Sequence, residues 1–361
     1  MKVLCVTGHG DRPETETIAG LRRRGVDIQV ACPADAPHRR LLCRAGVPLS
    51  DLAPKRRIDR EMIGRIRRML VEERFDILHL FNNRAVSNGI LAAGRLPVKI
   101  VAYRGIVGNV SFFNPASWMT YLNPRVDRIV CVAEAVRQHF LEMNVLGLRV
   151  PADKPVTIYK GHHLDWYTAA PVDLGPFGIP DGAFVVGCTA NFRPRKGIRF
   201  LLKATHRLQE IKNGHLLLIG NMNDPSVADQ IRKSPMADRI HLAGFRRDAP
   251  AVQASCDVVV LPAVRREGLP KVVIEAMAYG IPPIVTDSGG SPELIENGVS
   301  GLIVPPKDAG AIADAILRLY RDPGQRRQMG REAKARIADR FSIEDTIGRT
   351  HLLYRQLMGP A

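Results

Sequence analysis

Two glutamates eight residues apart, Glu267 and Glu275, frame the stretch of this 361-residue chain best suited to chemistry, EGLPKVVIEAMAYGIPPIVTDSGGSPE (267–293). Between them Gly268-Leu269-Pro270 has the composition of a tight turn opening a helix that closes at Gly280, since proline suits a first helical position and glycine a helix end. The first amides of a helix have no intrahelical acceptor, so a glycine turn at that point can cradle a phosphate. Glu267 falls just outside the cradle and Glu275 little more than one turn inside it. Carboxylates accept hydrogen bonds from sugar hydroxyls, and two of them beside a phosphate site suggest a nucleotide-sugar. An ordinary strand-to-helix junction with two solvated glutamates has the same spacing.

The stretch resembles the glutamate–seven residues–glutamate signature of the retaining glycosyltransferases of family four, and the continuation PPIVTDSGGSPELIENGVSGLIVPP (282–306) is similar to that family as well. The resemblance covers nearly the whole chain, strongest over 184–306 and looser over 1–165. It implies the GT-B fold and transfer of a sugar from a nucleotide-diphospho-sugar to an acceptor hydroxyl with retained anomeric configuration. By resemblance, Glu275 would hold the ribose, Glu267 the transferred sugar, and the backbone of Gly268, Leu269, Pro270, Lys271 and Val272 the sugar and diphosphate. The nucleotide (UDP, GDP or ADP) is left open.

Four other segments carry candidate residues. In ANFRPRKGIRFLLKA (190–204), Arg193 and Lys196 can reach a diphosphate together, one as a planar fork and one as a point charge. An arginine and a lysine-glycine pair recur there in the family, usually further apart. Such cations neutralise the leaving diphosphate, so no metal or other cofactor is expected. Gly244, Phe245 and Arg246 lie where the family lines its base pocket, although Phe245 suits a core position too. Gly8, His9 and Gly10 follow the first strand, where the family places a glycine loop facing donor or acceptor. Arg104 stands in VAYRGIVGN (101–109), where many relatives have a histidine; it can bind a hydroxyl or carboxylate but is too basic to shuttle protons. His162, His163 and Asp165 look superficially like metal ligands, yet adjacent histidines on an extended chain diverge.

These residues need a scaffold. Short β-branched runs alternate with helix-length segments, six candidate strands in each half (2–8, 27–32, 76–81, 98–105, 128–133, 156–161, then 184–190, 215–220, 240–244, 258–262, 282–287, 301–305). The pattern predicts an α/β protein of two doubly wound, Rossmann-like domains facing each other across a cleft. The expected division is an acceptor-side domain over 1–170, a Gly/Pro-rich linker over 171–183, a nucleotide-sugar domain over 184–340, and a terminal helix over 341–361 that crosses back to the first domain.

Composition narrows the class. With 45% hydrophobic and 24% charged residues the chain reads as soluble and globular. No apolar run suits a bilayer span, and MKVLCVTGHG reads as a strand entering a glycine loop, so a cytoplasmic enzyme is expected. The six cysteines show no disulfide or metal spacing. Of the +16 net charge, +10 lies in residues 1–150, which hold 24 Lys/Arg against 14 Asp/Glu. Much of it sits in 55–74, where Ile58, Met62, Ile63, Ile66 and Met69-Leu70 recur at helical spacing with arginines around the rest. Such a helix suits an anionic membrane face and a lipid-linked glycan acceptor, as in bacterial surface polysaccharide synthesis. Nothing accompanies the charge that suits nucleic acid. A nucleotide-sugar epimerase of the same fold, or a non-catalytic basic scaffold, are the alternative readings.

Overall fold

The computed structural model describes residues 1–8, 10–52 and 56–359. His9 and Lys55 therefore lie outside the described residues. The chain divides into two compact units, Met1–Gly161 with the segment from Phe341 onward, and His162–Arg340. Each is built on a fully parallel main sheet with helices interleaved in sequence.

In the first unit the strands are β1 (Lys2–Val6), β2 (Asp27–Cys32), β3 (Leu49–Asp51), β4 (Ile77–Leu80), β5 (Lys99–Arg104) and β6 (Arg128–Cys131), then a hairpin β7 (Asn144–Val145) and β8 (Leu148–Arg149), then β9 (Pro155–Thr157). The helices are α1 (Arg12–Arg23), α2 (Arg39–Arg44), α3 (Arg60–Glu73), α4 (Asn83–Ala93), α5 (Pro115–Trp118) and α6 (Glu134–Leu141). The sheet runs β3-β2-β1-β4-β5-β6-β9. Its reversal lies between β1 and β4, where crossovers leave in opposite directions and open a crevice at the carboxyl ends. Strand β3 was not expected; three residues at a sheet edge carry too short a pattern to stand out.

The second unit holds β10 (Phe184–Thr189), β11 (Gly214–Ile219), β12 (Ile240–Gly244), β13 (Val258–Leu261), β14 (Pro283–Thr286) and β15 (Leu302–Val304). Its helices are α7 (Ile198–Leu208), α8 (Pro225–Arg232), α9 (Ala249–Gln253), α10 (Lys271–Ala278), α11 (Ala309–Arg321) and α12 (Pro323–Arg340). The order β12-β11-β10-β13-β14-β15 puts the reversal between β10 and β13. Alternation decides which side chain serves which face. Val186, Cys188, Leu216, Leu218 and Val258 pack with Ile198, Leu201 and Ile316, while Val185, Leu217 and Val259 pack with Val252 and Ala276.

The segment expected as a linker over 171–183 belongs instead to the second unit. Leu174 and Ile179 are buried in its core, with Val172 and Phe177 against them, so the apolar residues between the glycines and prolines anchor the segment. The chain leaves the first unit at Gly161 and returns at Phe341. Helix α13 (Ile343–Met358) then lies on the first unit, capped by Ser342, whose side chain accepts from the Asp345 amide. Gly20 of α1 lets α13 approach; a Cβ there would be driven into Ile347. The buried Tyr354 hydroxyl meets Nδ1 of His79 on β4 at 2.6 Å.

The basic segment forms α3, begun by the Asp59 side chain, which accepts from the Met62 amide. Met62, Ile66 and Leu70 are buried, whereas Ile58 precedes the helix and is exposed. No helix among the described residues is long and apolar enough to cross a membrane.

Candidate active site

Three loops at the carboxyl end of the second sheet meet at the reversal between β10 and β13. The first follows β10 and ends in a 3-10 turn, Pro194–Lys196. Gly197 then takes φ +70°, and a Cβ there would collide with the Pro262 carbonyl after β13. The Val264 amide donates to the Arg195 carbonyl at 2.8 Å, stitching the first loop to the second. The third follows β14, where Gly289, at φ +58°, packs flat on the Glu267 backbone. Left-handed backbone and absent space together require glycine at both positions.

Glu267 is 5% exposed, and its carboxylate faces two cations. Lys196 Nζ lies 2.9 Å from Oε1, and Arg195 Nη1 lies 3.3 Å from the same oxygen. A buried carboxylate without partners would be costly, and the two cations offset that cost. The second cation on Glu267 is thus Arg195, while Arg193, expected to reach a diphosphate together with Lys196, is exposed and enters the turn as its capping residue. The 3-10 turn over Pro194–Lys196 rotates successive side chains apart. Arg266 adopts φ +64°, unusual for a residue with a Cβ, immediately before Glu267.

Helix α10 begins at Lys271, with Pro270 as its capping residue rather than its first helical one. Pro270 supplies no side-chain cap, and among the described residues the Lys271 and Val272 amides have no backbone acceptor. They provide the positive helix end that suits a phosphate. Gln253 of α9, fully buried, donates from Nε2 to the Val272 carbonyl at 2.8 Å and braces this turn. Gly268 is buried and Leu269 partly so. Glu275, 4% exposed, lies one turn in and pairs with Lys271 Nζ at 3.0 Å. Neither Gln253 nor Gly289 was anticipated, because the contacts that matter are made by residues distant in sequence.

At the far edge, Gly244 closes β12 at φ +67° with open space on its Cα. Phe245 is 72% exposed, so the core position considered for it does not apply. Arg246 makes a fork with Asp248, 2.8 and 2.6 Å, and stands 5.6 Å from the Phe177 ring centroid. That guanidinium holds the Asp248 carboxyl below its ordinary range. Phe245 thus offers an open ring, and Arg246 a cation already paired.

In the first unit Gly8 and Gly10 follow β1, and Asp11 caps α1 by accepting from the Glu14 amide. Lys160 Nζ reaches Asp11 Oδ2 at 2.7 Å. Arg104, expected to contact substrate, is 4% exposed and directs its donors at the Ile106 carbonyl (3.0 Å), the Gly108 carbonyl and Asn83 Oδ1. It latches the loop after β5. No group of three or more His, Cys, Asp or Glu among the described residues could hold a metal ion. His163 pairs instead with Asp165 at 3.5 Å.

Two family models match: Glycosyltransferase Family 4 over residues 15–166 and Glycosyl transferases group 1 over 183–322. The protein is a GT-B glycosyltransferase. This glycosyltransferase is 26% identical over 316 residues to a phosphatidyl-myo-inositol mannosyltransferase of Mycobacterium leprae, covering 84% of this chain and 81% of that one. It is 24% identical to an Escherichia coli UDP-Gal:alpha-D-GlcNAc-diphosphoundecaprenol alpha-1,3-galactosyltransferase, covering 80% and 77%. The fold matches an Anabaena protein, HepE, crystallised with UDP and glucose, at TM-score 0.79 and 20% identity over 98% of this chain and 99% of that one.

Proposed function

We propose that this glycosyltransferase transfers a sugar from a nucleotide-diphospho-sugar to an acceptor hydroxyl with retention of configuration and without a metal. The observation that carries the reading is the buried Glu267 carboxylate between Lys196 and Arg195, at the sheet reversal and beside the uncapped start of α10. A diphosphate at that helix end has the Lys271 and Val272 amides, Lys196, Arg195 and the exposed Arg193 within its chemical reach. These groups supply the charge neutralisation that a metal would otherwise provide. Glu275 suits ribose hydroxyls, Phe245 a base, and Glu267 a hydroxyl of the transferred sugar.

In the reaction so read, the bond from the anomeric carbon to the phosphate oxygen breaks as the acceptor oxygen bonds the same face of that carbon. The acceptor proton passes to the departing phosphate oxygen. The first unit serves as the acceptor side. The relatives in Mycobacterium leprae and Escherichia coli are named for lipid-borne acceptors, and HepE was crystallised with UDP and glucose. These names support a cytoplasmic enzyme that works at the membrane face on a lipid-linked glycan and takes a UDP-, GDP- or ADP-sugar. Surface polysaccharide assembly fits such an acceptor.

The test is a thermal-shift screen of UDP-, GDP- and ADP-sugars followed by turnover with the stabilising donor. An α-linked donor should yield an α-linked product by NMR, and a β-linked product would reject retention. Conversion of the donor sugar to an epimer without acceptor would favour the epimerase, and no stabilisation by any donor would favour the scaffold.

A further inference from the structure

We propose that the recess of the N-terminal unit at the β1/β4 reversal binds an oxyanion, a phosphate or carboxylate carried by the acceptor. The proposal rests on reading that unit as the acceptor side. The recess, about 580 Å³, is walled by Gly8, Asn82, Asn83, Arg84, Arg104 and Tyr121 among others, and no Asp or Glu among the described residues contributes to it.

The polar groups that face it are donors. Asn82 Oδ1 accepts the Ala85 amide at 2.9 Å, and a backbone N–H can only donate, so the orientation of this side chain is set and Nδ2 points the other way. Asn83 Oδ1 takes the Tyr121 hydroxyl at 2.7 Å and Arg104 Nη1 at 3.5 Å. Neither Nδ2 has an acceptor among the described residues. Gly8 does not occupy the left-handed region, so its lack of a side chain is a matter of space: a Cβ would come within 3.3 Å of Asn82 Nδ2.

Arg104 is the second observation. Its guanidinium is buried, yet it meets only neutral partners among the described residues: two carbonyls, the Asn83 amide and the Tyr121 ring, whose centroid is 5.0 Å away. A buried cation without a counter-ion is expensive, and an anion in the adjoining recess offsets that cost. Arg84 adds positive charge on the rim. Neutral sugar hydroxyls need acceptors as well as donors, and this wall presents few.

The test titrates the full-length protein by calorimetry with methyl phosphate, inorganic phosphate, acetate and uncharged methyl α-glucoside. The variant is Asn82→Asp/Asn83→Asp. It keeps both Oδ1 acceptors and an equally good helix cap while replacing each donor by a carboxylate oxygen. Wild type should bind the oxyanions above the glucoside, and the double variant should lose affinity about tenfold or more, as the loss of charge-assisted hydrogen bonds gives. Unchanged affinity in the variant, or preference for the glucoside, overturns the site. Tighter binding of methyl phosphate than of inorganic phosphate supports an acceptor ester. The reverse order overturns the acceptor assignment and gives the recess to free phosphate. Melting shifts with UDP, GDP and ADP in the same samples report the donor site separately: their absence counts against the donor reading whatever the phosphate result.

Discussion

Gly289 rests against the main chain of Glu267 so closely that a methyl group on its Cα would occupy the Glu267 carbonyl. The loop after β14 thereby sets the position of a carboxylate on the loop after β13. Gly289→Ala should cost about 1 kcal/mol for its φ of +58° alone. Any displacement of Glu267 by about 1 Å should lower kcat on the order of a hundredfold. Melting temperature and kcat measured together check this, and an alanine variant with wild-type turnover would show that the loop yields freely.

The salt-bridge geometry separates three cations that lie within four residues. Lys196→Ala should reduce turnover about a hundredfold, because a transition-state charge partner is lost. Arg195→Ala should follow, more weakly, since its contact with Glu267 is longer than that of Lys196. Arg193→Ala should leave the melting temperature unchanged, as its side chain is exposed. Steady-state kinetics on the three variants ranks them. A larger loss at Arg193 than at Arg195 would make Arg193 the stronger diphosphate partner of the two.

Glu14 offers a pH signature. Burial, opposed by Lys160 and the Thr7 hydroxyl, pushes its carboxyl up to about 7 from 4.5. Between those values the folded chain holds a proton that the unfolded chain has released. Stability from this group is full below pH 4.5, declines as pH rises toward 7 and stays low above it. Glu14→Gln should remove that slope, which melting curves from pH 5 to 8 on both proteins would reveal. Parallel curves would mean that Lys160 keeps Glu14 ionised throughout.

For a membrane role of the basic helix α3 the choice of arginine to test matters. Arg67 donates to the Ala92 carbonyl at 3.0 Å and Arg65 to the Asp51 carbonyl at 2.7 Å, so reversing either also disturbs packing. Arg60 and Arg68 are exposed. Arg60→Glu/Arg68→Glu should weaken binding to vesicles containing anionic lipid, by about 1 kcal/mol per lost basic residue and as much again for the added charge. Sedimentation unchanged at low salt would remove this helix from any membrane contact.

Much of this protein could be read from the order of its residues. The twelve principal strands declare themselves because both sheets are covered on both faces, so each strand is a short, nearly continuous apolar run. The glycine turn and glutamates after β13 were legible because a helix start and its charges are local in sequence. Other features depended on the fold. The pairing of Arg195 with Glu267 depends on the twist of one 3-10 turn, and Leu174 and Ile179 drew a supposed linker into a core. Gln253, Gly289 and Asn83 act on residues far away along the chain. Local patterns determine which elements form and where they begin. Only the packing of those elements decides which side chains meet, because through-space distances of a few ångströms carry no trace in sequence separation.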